Sequence, residues 1–208
     1  MKKTIFITGA TSGIGKATAE LFAKQGHRLI ICGRRKEVLE ALQIQLNNIT
    51  EVYSLVFDVR NQQEVQNAIN SLPKDWKNID VLVNNAGNAH GLEPISEANI
   101  SDWDAMMDGN VKGLLYVSQP IIKLMKANNS GHIVNISSVA ARQTYANGTV
   151  YCASKKAVDV ISEGMRLELT EFGIKVTNVQ PGAVETDFSK IRFKGDEERA
   201  ATVYAGYE

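Results

Sequence analysis

The sequence predicts an α/β fold in which one parallel sheet is covered by helices on both faces. Three observations predict it: short apolar runs recur along the chain, stretches with helical spacing separate them, and a glycine-rich segment follows the first run. Runs that are apolar throughout are typical of strands buried on both faces. Their alternation with helices predicts right-handed crossovers and a doubly wound sheet of three layers, in the order α/β/α.

The apolar runs predict six strands, at residues 4–8, 28–32, 52–57, 81–84, 132–136 and 175–179. Helical spacing is found at residues 14–24, 36–46, 62–72, 102–126 and 150–172. In a doubly wound sheet the ligand crevice lies outside the carboxyl ends of the strands. Residues that directly follow a strand are therefore the first candidates for a functional site.

Length and composition predict one soluble domain over residues 1–208, with residues 187–208 as a mobile segment beside the substrate. Lys plus Arg and Asp plus Glu number 23 each, so no net field favours nucleic acid or an anionic membrane. The N-terminal apolar run is too short for a signal peptide, and we expect a cytoplasmic protein. Cys32 and Cys152 have no metal-ligand spacing, and no metal site is expected.

A glycine-rich segment directly follows the first strand and opens the first helix. It contains Gly9, Gly13 and Gly15 in the spacing TGxxxGxG. Glycines there allow a tight turn and a close approach to a pyrophosphate, and helix N-terminal amides favour its negative charge. The segment predicts a dinucleotide site, and the alternative is an ordinary glycine-rich turn.

The end of the second strand indicates which dinucleotide binds. An acidic residue there would bond the 2′-hydroxyl of the adenosine ribose, whereas arginine accommodates a 2′-phosphate. This chain has Arg34 and Arg35 and no carboxylate. Guanidinium groups suit bidentate phosphate contacts, so we expect NADP(H) rather than NAD(H). The alternative is that both arginines are solvated residues at a helix start.

Polar and flexible residues also close the third and fourth strands. Asp58 follows the third strand, where a carboxylate can accept a bond from an adenine amino group. Asn84, Asn85, Ala86 and Gly87 close the fourth, as a turn that could pass beneath the adenosine. Alone, each is more often a simple turn, but together in strand order they support a dinucleotide site.

Tyr151 and Lys155 are four residues apart on a predicted helix, so they share one face. A tyrosine is a poor base at neutral pH, and a nearby positive charge favours its phenolate. Tyr151 is therefore expected to give its proton to an alkoxide in reduction and to accept the alcohol proton in oxidation. Lys155 is expected to supply the charge and to hold ribose hydroxyls.

Two more polar residues complete the predicted reacting centre. Ser138 follows the fifth strand and is expected to bond the substrate oxygen, a role for which Ser137 is the weaker candidate. Asn110, in the long predicted helix, could hold a water that links Lys155 to solvent. A lone YxxxK motif is common by chance, and the ordered set of motifs carries the prediction.

With these motifs in order, the chain closely resembles the short-chain dehydrogenase/reductase family over essentially all 208 residues. The resemblance implies a Rossmann-type fold, NADP(H), and the roles given above for Asn110, Ser138, Tyr151 and Lys155. Residues 181–186 resemble the family's PG motif at the nicotinamide end. The cofactor contacts implied are Gly9, Ser12, Gly13, Ile14, Gly15, Arg34, Arg35, Asp58, Val59, Asn85, Ala86, Gly87, Tyr151, Lys155, Pro181, Gly182, Val184 and Thr186.

Residues 187–196 are similar to a narrower branch, the NADP-dependent 3-hydroxy acid dehydrogenases that act on serine and allo-threonine. Family members normally continue through another helix and a seventh strand, whereas this sequence stops at Glu208. Because those elements commonly help to form oligomers, the expected partners are a small-molecule substrate and copies of the chain, as a homodimer or homotetramer.

A 3-hydroxy acid carries a carboxylate, for which the sequence offers two candidate cations. Arg192 lies in the C-terminal segment and Arg142 follows the fifth strand. Either could instead be a solvated arginine. Two other functions stay open, a reductase of different specificity, such as a ketoacyl or steroid reductase, and a non-catalytic NADP-binding regulatory domain.

Overall fold

The computed structural model describes residues 2–202, with side chains as far as residue 199. Its six strands form one sheet in the order β3-β2-β1-β4-β5-β6, and each adjacent pair is parallel. Their bounds are β1 (Thr4–Thr8), β2 (Arg28–Gly33), β3 (Val52–Val56), β4 (Val81–Asn84), β5 (Gly131–Ile136) and β6 (Ile174–Val179). The predicted fold class and all six predicted strands are confirmed, within one residue at each end.

Helices connect the strands and cover both faces. Their bounds are α1 (Gly13–Lys24), α2 (Lys36–Asn47), α3 (Gln62–Asn70), α4 (Ile100–Met107), α5 (Gly113–Ala127), α6 (Thr149–Leu169), α7 (Phe188–Arg192) and α8 (Glu197–Thr202). Along β1, Ile5 and Ile7 pack into the cluster on one face, whereas Phe6 packs into the cluster on the other. This alternation places an apolar core on each side of the sheet, as expected for buried parallel strands.

Strand order places the candidate site. The chain runs outward from β1 to β3 and then restarts with β4 on the opposite side of β1. The crossovers diverge at this switch point and leave a crevice at the carboxyl ends of the strands. The glycine-rich loop after β1 and the turn after β4 both open into it.

The long helix predicted at 102–126 is confirmed as one helical segment from Ile100 to Ala127, and the irregular turn inside it was not predicted. Asp108–Lys112 forms a π-helical turn between α4 and α5. Asn110 sits in that turn, and its side chain bonds the backbone of Asn88, which lies after β4. A contact between distant segments accompanies the irregular turn, and π-turns occur often at functional sites.

The segment after β6 forms two short helices as far as Thr202, and Arg192 of α7 reaches the cleft. Its predicted mobility stays a prediction, and residues 203–208 lie outside the described part of the chain. Among the described residues no helix is long and apolar enough to cross a membrane. The described residues also include no group of His, Cys, Asp or Glu that could hold a metal ion.

Candidate active site

A cleft of about 960 Å³ lies at the carboxyl edge of the sheet. Its walls come from most of the predicted motifs, including the glycine-rich loop, the ends of β2 to β5, α6 and the segment after β6. Predicted residues that line it are Gly9, Ser12, Gly13, Ile14, Arg34, Arg35, Asp58, Val59, Asn85, Ala86, Gly87, Ser138, Tyr151, Lys155, Pro181, Gly182, Val184, Thr186 and Arg192. The fold therefore brings together residues that are up to 183 positions apart in sequence, from Gly9 to Arg192.

The glycine-rich loop needs its glycines for backbone conformation and for close packing. Gly9 and Gly13 have φ of +64° and +52°, in the left-handed region that favours glycine. A Cβ on Gly15 would clash with the Gly9 carbonyl oxygen and with the Asn85 amide. Gly15 is thus a packing residue behind the loop rather than a residue of the cleft wall.

Thr8 and Asn85 fasten the turn after β4 to the glycine-rich loop. The Thr8 hydroxyl accepts bonds from the backbone N–H groups of Asn85 and Ala86, at 3.0 and 2.9 Å. In the other direction, the Asn85 amide donates to the carbonyl oxygens of Thr8 and Gly9, at 2.9 and 3.1 Å. These bonds hold the two backbones side by side across the switch point.

Guanidinium groups surround the end of the cleft formed by β2 and β3. Arg34, 57% exposed, lies 3.5 Å from the Asp58 carboxylate, and Arg60 bonds the same oxygen at 2.6 Å. Burial would raise the pKa of Asp58, but the bonds and charges of Arg60 and Arg34 hold it below its usual value. Arg35 donates to the Thr11 hydroxyl at 3.0 Å, so both predicted arginines lie where a phosphate could reach them.

Tyr151 and Ser138 meet at the opposite end of the cleft. Tyr151 is buried, and Tyr151 and Ser138 both line this end of the cleft. Burial raises the pKa of the Tyr151 phenol, and the Ser138 hydroxyl and the charge of Arg192 only partly oppose this rise. Desolvation is thus the largest effect on the Tyr151 phenol, and the charge that Lys155 is expected to supply to it stays a prediction. Tyr151 is a neutral phenol at neutral pH, in the form that can donate a proton.

Lys155 is buried one helical turn from Tyr151. Its Nζ lies 6.0 Å from the centre of the Tyr151 ring and donates to the Ile136 carbonyl oxygen at 3.0 Å. Desolvation by burial lowers the pKa of Lys155 to about 8. The ammonium therefore remains mainly charged at pH 7 and loses its proton in mild alkali.

Asn110 lies beside this centre but does not line the cleft. Its Oδ1 accepts from the Asn88 backbone N–H at 2.7 Å, and its Nδ2 donates to Asn88 O at 2.8 Å and to Ser154 Oγ at 3.0 Å. A Cβ on Gly87 would lie 3.0 Å from Asn110 Oδ1 and 3.3 Å from Lys155 Nζ. The amide thus fixes the backbone next to Lys155, and its predicted water-holding role stays a prediction.

The two candidate cations for a substrate carboxylate have different positions. Arg192 is buried, and its guanidinium carbon lies 5.7 Å from the centre of the Tyr151 ring. It donates to Gly91 O at 2.9 Å and to the Tyr145 hydroxyl at 3.0 Å. Arg142 is exposed and is not among the residues that line the cleft. Geometry therefore favours Arg192.

Sequence reasoning missed Tyr145 and Gln143, which also line the cleft near Ser138. Both lie in the loop between β5 and α6, where no motif marks them. A weak signal was available, because an aromatic and an amide follow a strand end by a few residues. Loops at such positions commonly form binding sites.

The residues of the cleft fit a dinucleotide phosphate. The left-handed glycines leave room for close approach to the loop, and among the described residues no side chain caps the N-terminus of α1. Its first amides can therefore bond an anion. The length of the cleft, from Arg34 to Tyr151, gives the adenosine phosphate and the reacting centre separate ends.

Comparison with known proteins agrees with this geometry. Residues 3–197 match the family described as short chain dehydrogenase. The chain is 44% identical over 201 residues to an NADP-dependent 3-hydroxy acid dehydrogenase of Salmonella typhi, which covers 96% of this chain and 80% of the relative. It is 39% identical over 206 residues to a serine 3-dehydrogenase of Rhizobium radiobacter, covering 99% of this chain and 82% of the relative.

The solved structures include the closed form of a serine dehydrogenase complexed with NADP+. It superposes with a TM-score of 0.93 at 41% identity and covers 99% of this chain and 82% of its own. A serine dehydrogenase from Escherichia coli gives a TM-score of 0.83 at 41% identity, covering 88% of this chain and 83% of its own. The chain belongs to the short-chain dehydrogenase family.

Proposed function

We propose that this protein is an NADP(H)-dependent dehydrogenase of small 3-hydroxy acids such as serine or allo-threonine. One observation carries the proposal: a proton donor, a hydroxyl donor and a buried cation share one end of a dinucleotide cleft. These groups are Tyr151, Ser138 and Arg192. Relatives named for this activity, at 39–44% identity over nearly the whole chain, support the substrate class.

Tyr151 is proposed as the proton-transfer residue. When bound, the nicotinamide of NADP(H) supplies or accepts the hydride at the substrate carbon. Tyr151 gives its phenolic proton to the substrate oxygen in reduction and takes it back in oxidation. Ser138 lines the same end of the cleft, and its hydroxyl lowers the pKa of the Tyr151 phenol, which supports a role for both hydroxyls in bonding one substrate oxygen. A donor aimed at that oxygen in advance stabilises the charge that develops on it.

Lys155 is proposed to hold the ribose beside the nicotinamide and to favour the phenolate in oxidation. Its buried ammonium faces the Gly87 backbone, which lines the cleft. Asn110 fixes the neighbouring Asn88 backbone and so keeps this wall in place. The charge of Lys155 acts strongly here because little water screens it.

Arg192 is proposed to bind the substrate carboxylate. Its bonds to Gly91 and Tyr145 hold the guanidinium on the Tyr151 side of the cleft. Arginine has five N–H donors in a planar fork, which matches a carboxylate. A 3-hydroxy acid could then place its hydroxyl at Tyr151 and its carboxylate at Arg192.

The substrate class is tested by following NADP reduction by absorbance in a matched panel. L-Serine, L-allo-threonine and 3-hydroxypropionate are compared with ethanolamine and 1-propanol, which lack the carboxylate. We expect turnover of the acids and little of the two compounds that lack the carboxylate. Turnover restricted to acyl thioesters or steroids would favour a reductase of another specificity. Tight NADPH binding with no turnover of a broad carbonyl panel would favour a regulatory domain.

We also propose that the protein is a cytoplasmic homodimer or homotetramer. Large apolar side chains are exposed on α5 and α6, including Leu115, Val160 and Leu167 at 41%, 60% and 79% exposure. Large exposed apolar side chains are typical of a surface that meets another chain. Light scattering after size exclusion is expected to give two or four chains, and a monomer across the concentration range would contradict the proposal.

A further inference from the structure

Asp159 lies on α6 one helical turn beyond Lys155 and receives three hydrogen bonds. Its Oδ1 accepts from Ser137 Oγ at 2.7 Å and from Asn178 Nδ2 at 2.7 Å. Its Oδ2 accepts from Gln180 Nε2 at 2.7 Å. A half-buried carboxylate on a helix thus gathers donors from the ends of two different strands.

Two of these donors lie next to residues that line the cleft. Ser137 itself lines the cleft and comes before Ser138, and Gln180 comes before Pro181, at the start of the loop beside the nicotinamide end. Backbone bonds join the same two strand ends, from Ser137 N–H to the Val179 carbonyl at 2.8 Å and from Val139 N–H to the Pro181 carbonyl at 3.0 Å. Asp159 fastens this joined pair to α6.

The same contacts reach Lys155. The Ser137 hydroxyl lies 3.0 Å from the Lys155 carbonyl oxygen as well as 2.7 Å from Asp159. Lys155 Nζ donates to the carbonyl of Ile136, the residue before Ser137. The peptide that leads to Ser138 is therefore bonded to α6 at two points, at the Ile136 carbonyl by Lys155 and at the Ser137 hydroxyl by Asp159.

The carboxylate is stabilised in its charged form by these contacts. Burial would raise the pKa of Asp159, but hydrogen bonds from Asn178, Ser137 and Gln180 and the charge of Lys156 hold it below its usual value. Bonds to a charged acceptor are stronger than neutral ones. The network is therefore intact at neutral pH.

We propose that Asp159 is a positioning residue, which fixes Ser138 and the loop at residues 180–182 against Tyr151 and Lys155. It does not line the cleft itself, and it acts through Ser137 and Gln180 on the reacting centre of the proposed function. Small displacements of reacting groups lower the rate of the chemical step strongly. The adenosine end of the cleft contains none of the Asp159 contacts.

The test compares three variants by two binding affinities and by kcat with the best substrate of the panel given under the proposed function. Asp159→Ala removes the acceptor. Asp159→Asn keeps one oxygen, which can accept from Ser137 and Asn178, and its new NH2 group can donate to the Gln180 side-chain oxygen if that amide rotates. Glu163→Gln changes an exposed carboxylate one turn further along α6 and is the matched control. Calorimetry measures NADPH, which spans the cleft, and adenosine 2′,5′-bisphosphate, which reaches only the adenosine end.

For Asp159→Ala we expect kcat to fall by about tenfold or more. NADPH affinity should fall several-fold with no change in the affinity for adenosine 2′,5′-bisphosphate. Asp159→Asn and the Glu163 control should stay near wild type in every measurement. A wild-type kcat in Asp159→Ala would overturn the proposal.

Gln180→Leu keeps the proposal testable even if Asp159→Ala does not fold. This variant removes only the bond between the carboxylate and the nicotinamide-side loop, and its kcat should fall in the same direction. In the double variant the two losses should not add, because both changes break one network. Unchanged kcat in Gln180→Leu, or fully additive losses, would contradict the role of Asp159.

Discussion

The ionisable groups at the two ends of the cleft differ in exposure and in what sets the direction of their pKa shifts. At the adenosine end Arg34 is 57% exposed and Asp58 is paired with arginines, so partners determine the pKa of the carboxylate. At the reacting end Tyr151 and Lys155 are only 8% and 6% exposed, and burial determines the pKa of both. Exposed charges suit binding of a charged cofactor, whereas desolvated groups suit proton transfer.

The strongest test of this contrast is Lys155→Met. We expect kcat to fall about 1,000-fold, because both the charge beside Tyr151 and the ribose contact are lost. The unfolding temperature at pH 7 should be at least that of wild type, since burying the ammonium costs about 3 kcal/mol by its lowered pKa. Steady-state kinetics measures kcat, and calorimetry measures the unfolding temperature. A large fall in the unfolding temperature would contradict the claim that the buried ammonium of Lys155 costs stability.

Arg34→Glu tests the exposed end. The ratio of kcat/KM for NADP to that for NAD should fall about 100-fold, because a phosphate contact is replaced by a repelling carboxylate. Lys36→Glu makes the same charge change two residues away, outside the cleft wall, and should leave the ratio unchanged. In wild type, added salt should raise KM for NADP, since exposed charges are screened. An unaltered ratio in Arg34→Glu would remove Arg34 from the cofactor site.

Arg192→Gln examines a buried cation at the substrate position. We expect kcat/KM for a hydroxy acid to fall about 30-fold, through loss of a charged hydrogen bond. The much lower kcat/KM for the neutral alcohol should change little. Arg142→Gln is the matched control, because Arg142 is exposed away from the cleft wall. Equal losses for acid and alcohol would show that Arg192 only supports the local structure.

The smallest expected effect is a pH dependence of stability. Since Lys155 titrates near 8 when folded and near 10.4 when unfolded, the unfolded state binds more protons between these values. Wild type should therefore gain about 1 kcal/mol of stability relative to Lys155→Met from pH 7 to pH 9. Urea unfolding of both proteins measures the difference. A constant difference would mean that Lys155 is not desolvated.

The sheet was predictable because its strands are buried on both faces, and such strands appear in the sequence as short apolar runs. Ser138 was recognisable because it follows the end of a strand. Tyr151 and Lys155 were recognisable because they are four residues apart on a helix and so share one face. Asn110 shows the limit, since its π-turn accompanies bonds to Asn88, which no local pattern encodes. The raised pKa of Tyr151 was not predictable for a related reason, because burial comes from residues that are distant in sequence.

Loop contacts were harder still to predict. Tyr145 was missed because its position beside Arg192 depends on how α7 docks on Gly91. Asp159 carries no motif, and its partners lie at the ends of strands 19 or more residues away. Such long-range side-chain contacts require the folded chain.

The most direct test of proton transfer at the buried end is Tyr151→Phe, with kcat and NADPH affinity measured together. Tyr53→Phe, a tyrosine packed on Trp76 away from the cleft, is the control. The account predicts a loss of about 1,000-fold in kcat with a much smaller change in NADPH affinity, because the proton donor is removed while the ring and the other cofactor contacts remain. A kcat close to that of wild type would contradict the central claim that Tyr151 transfers the proton.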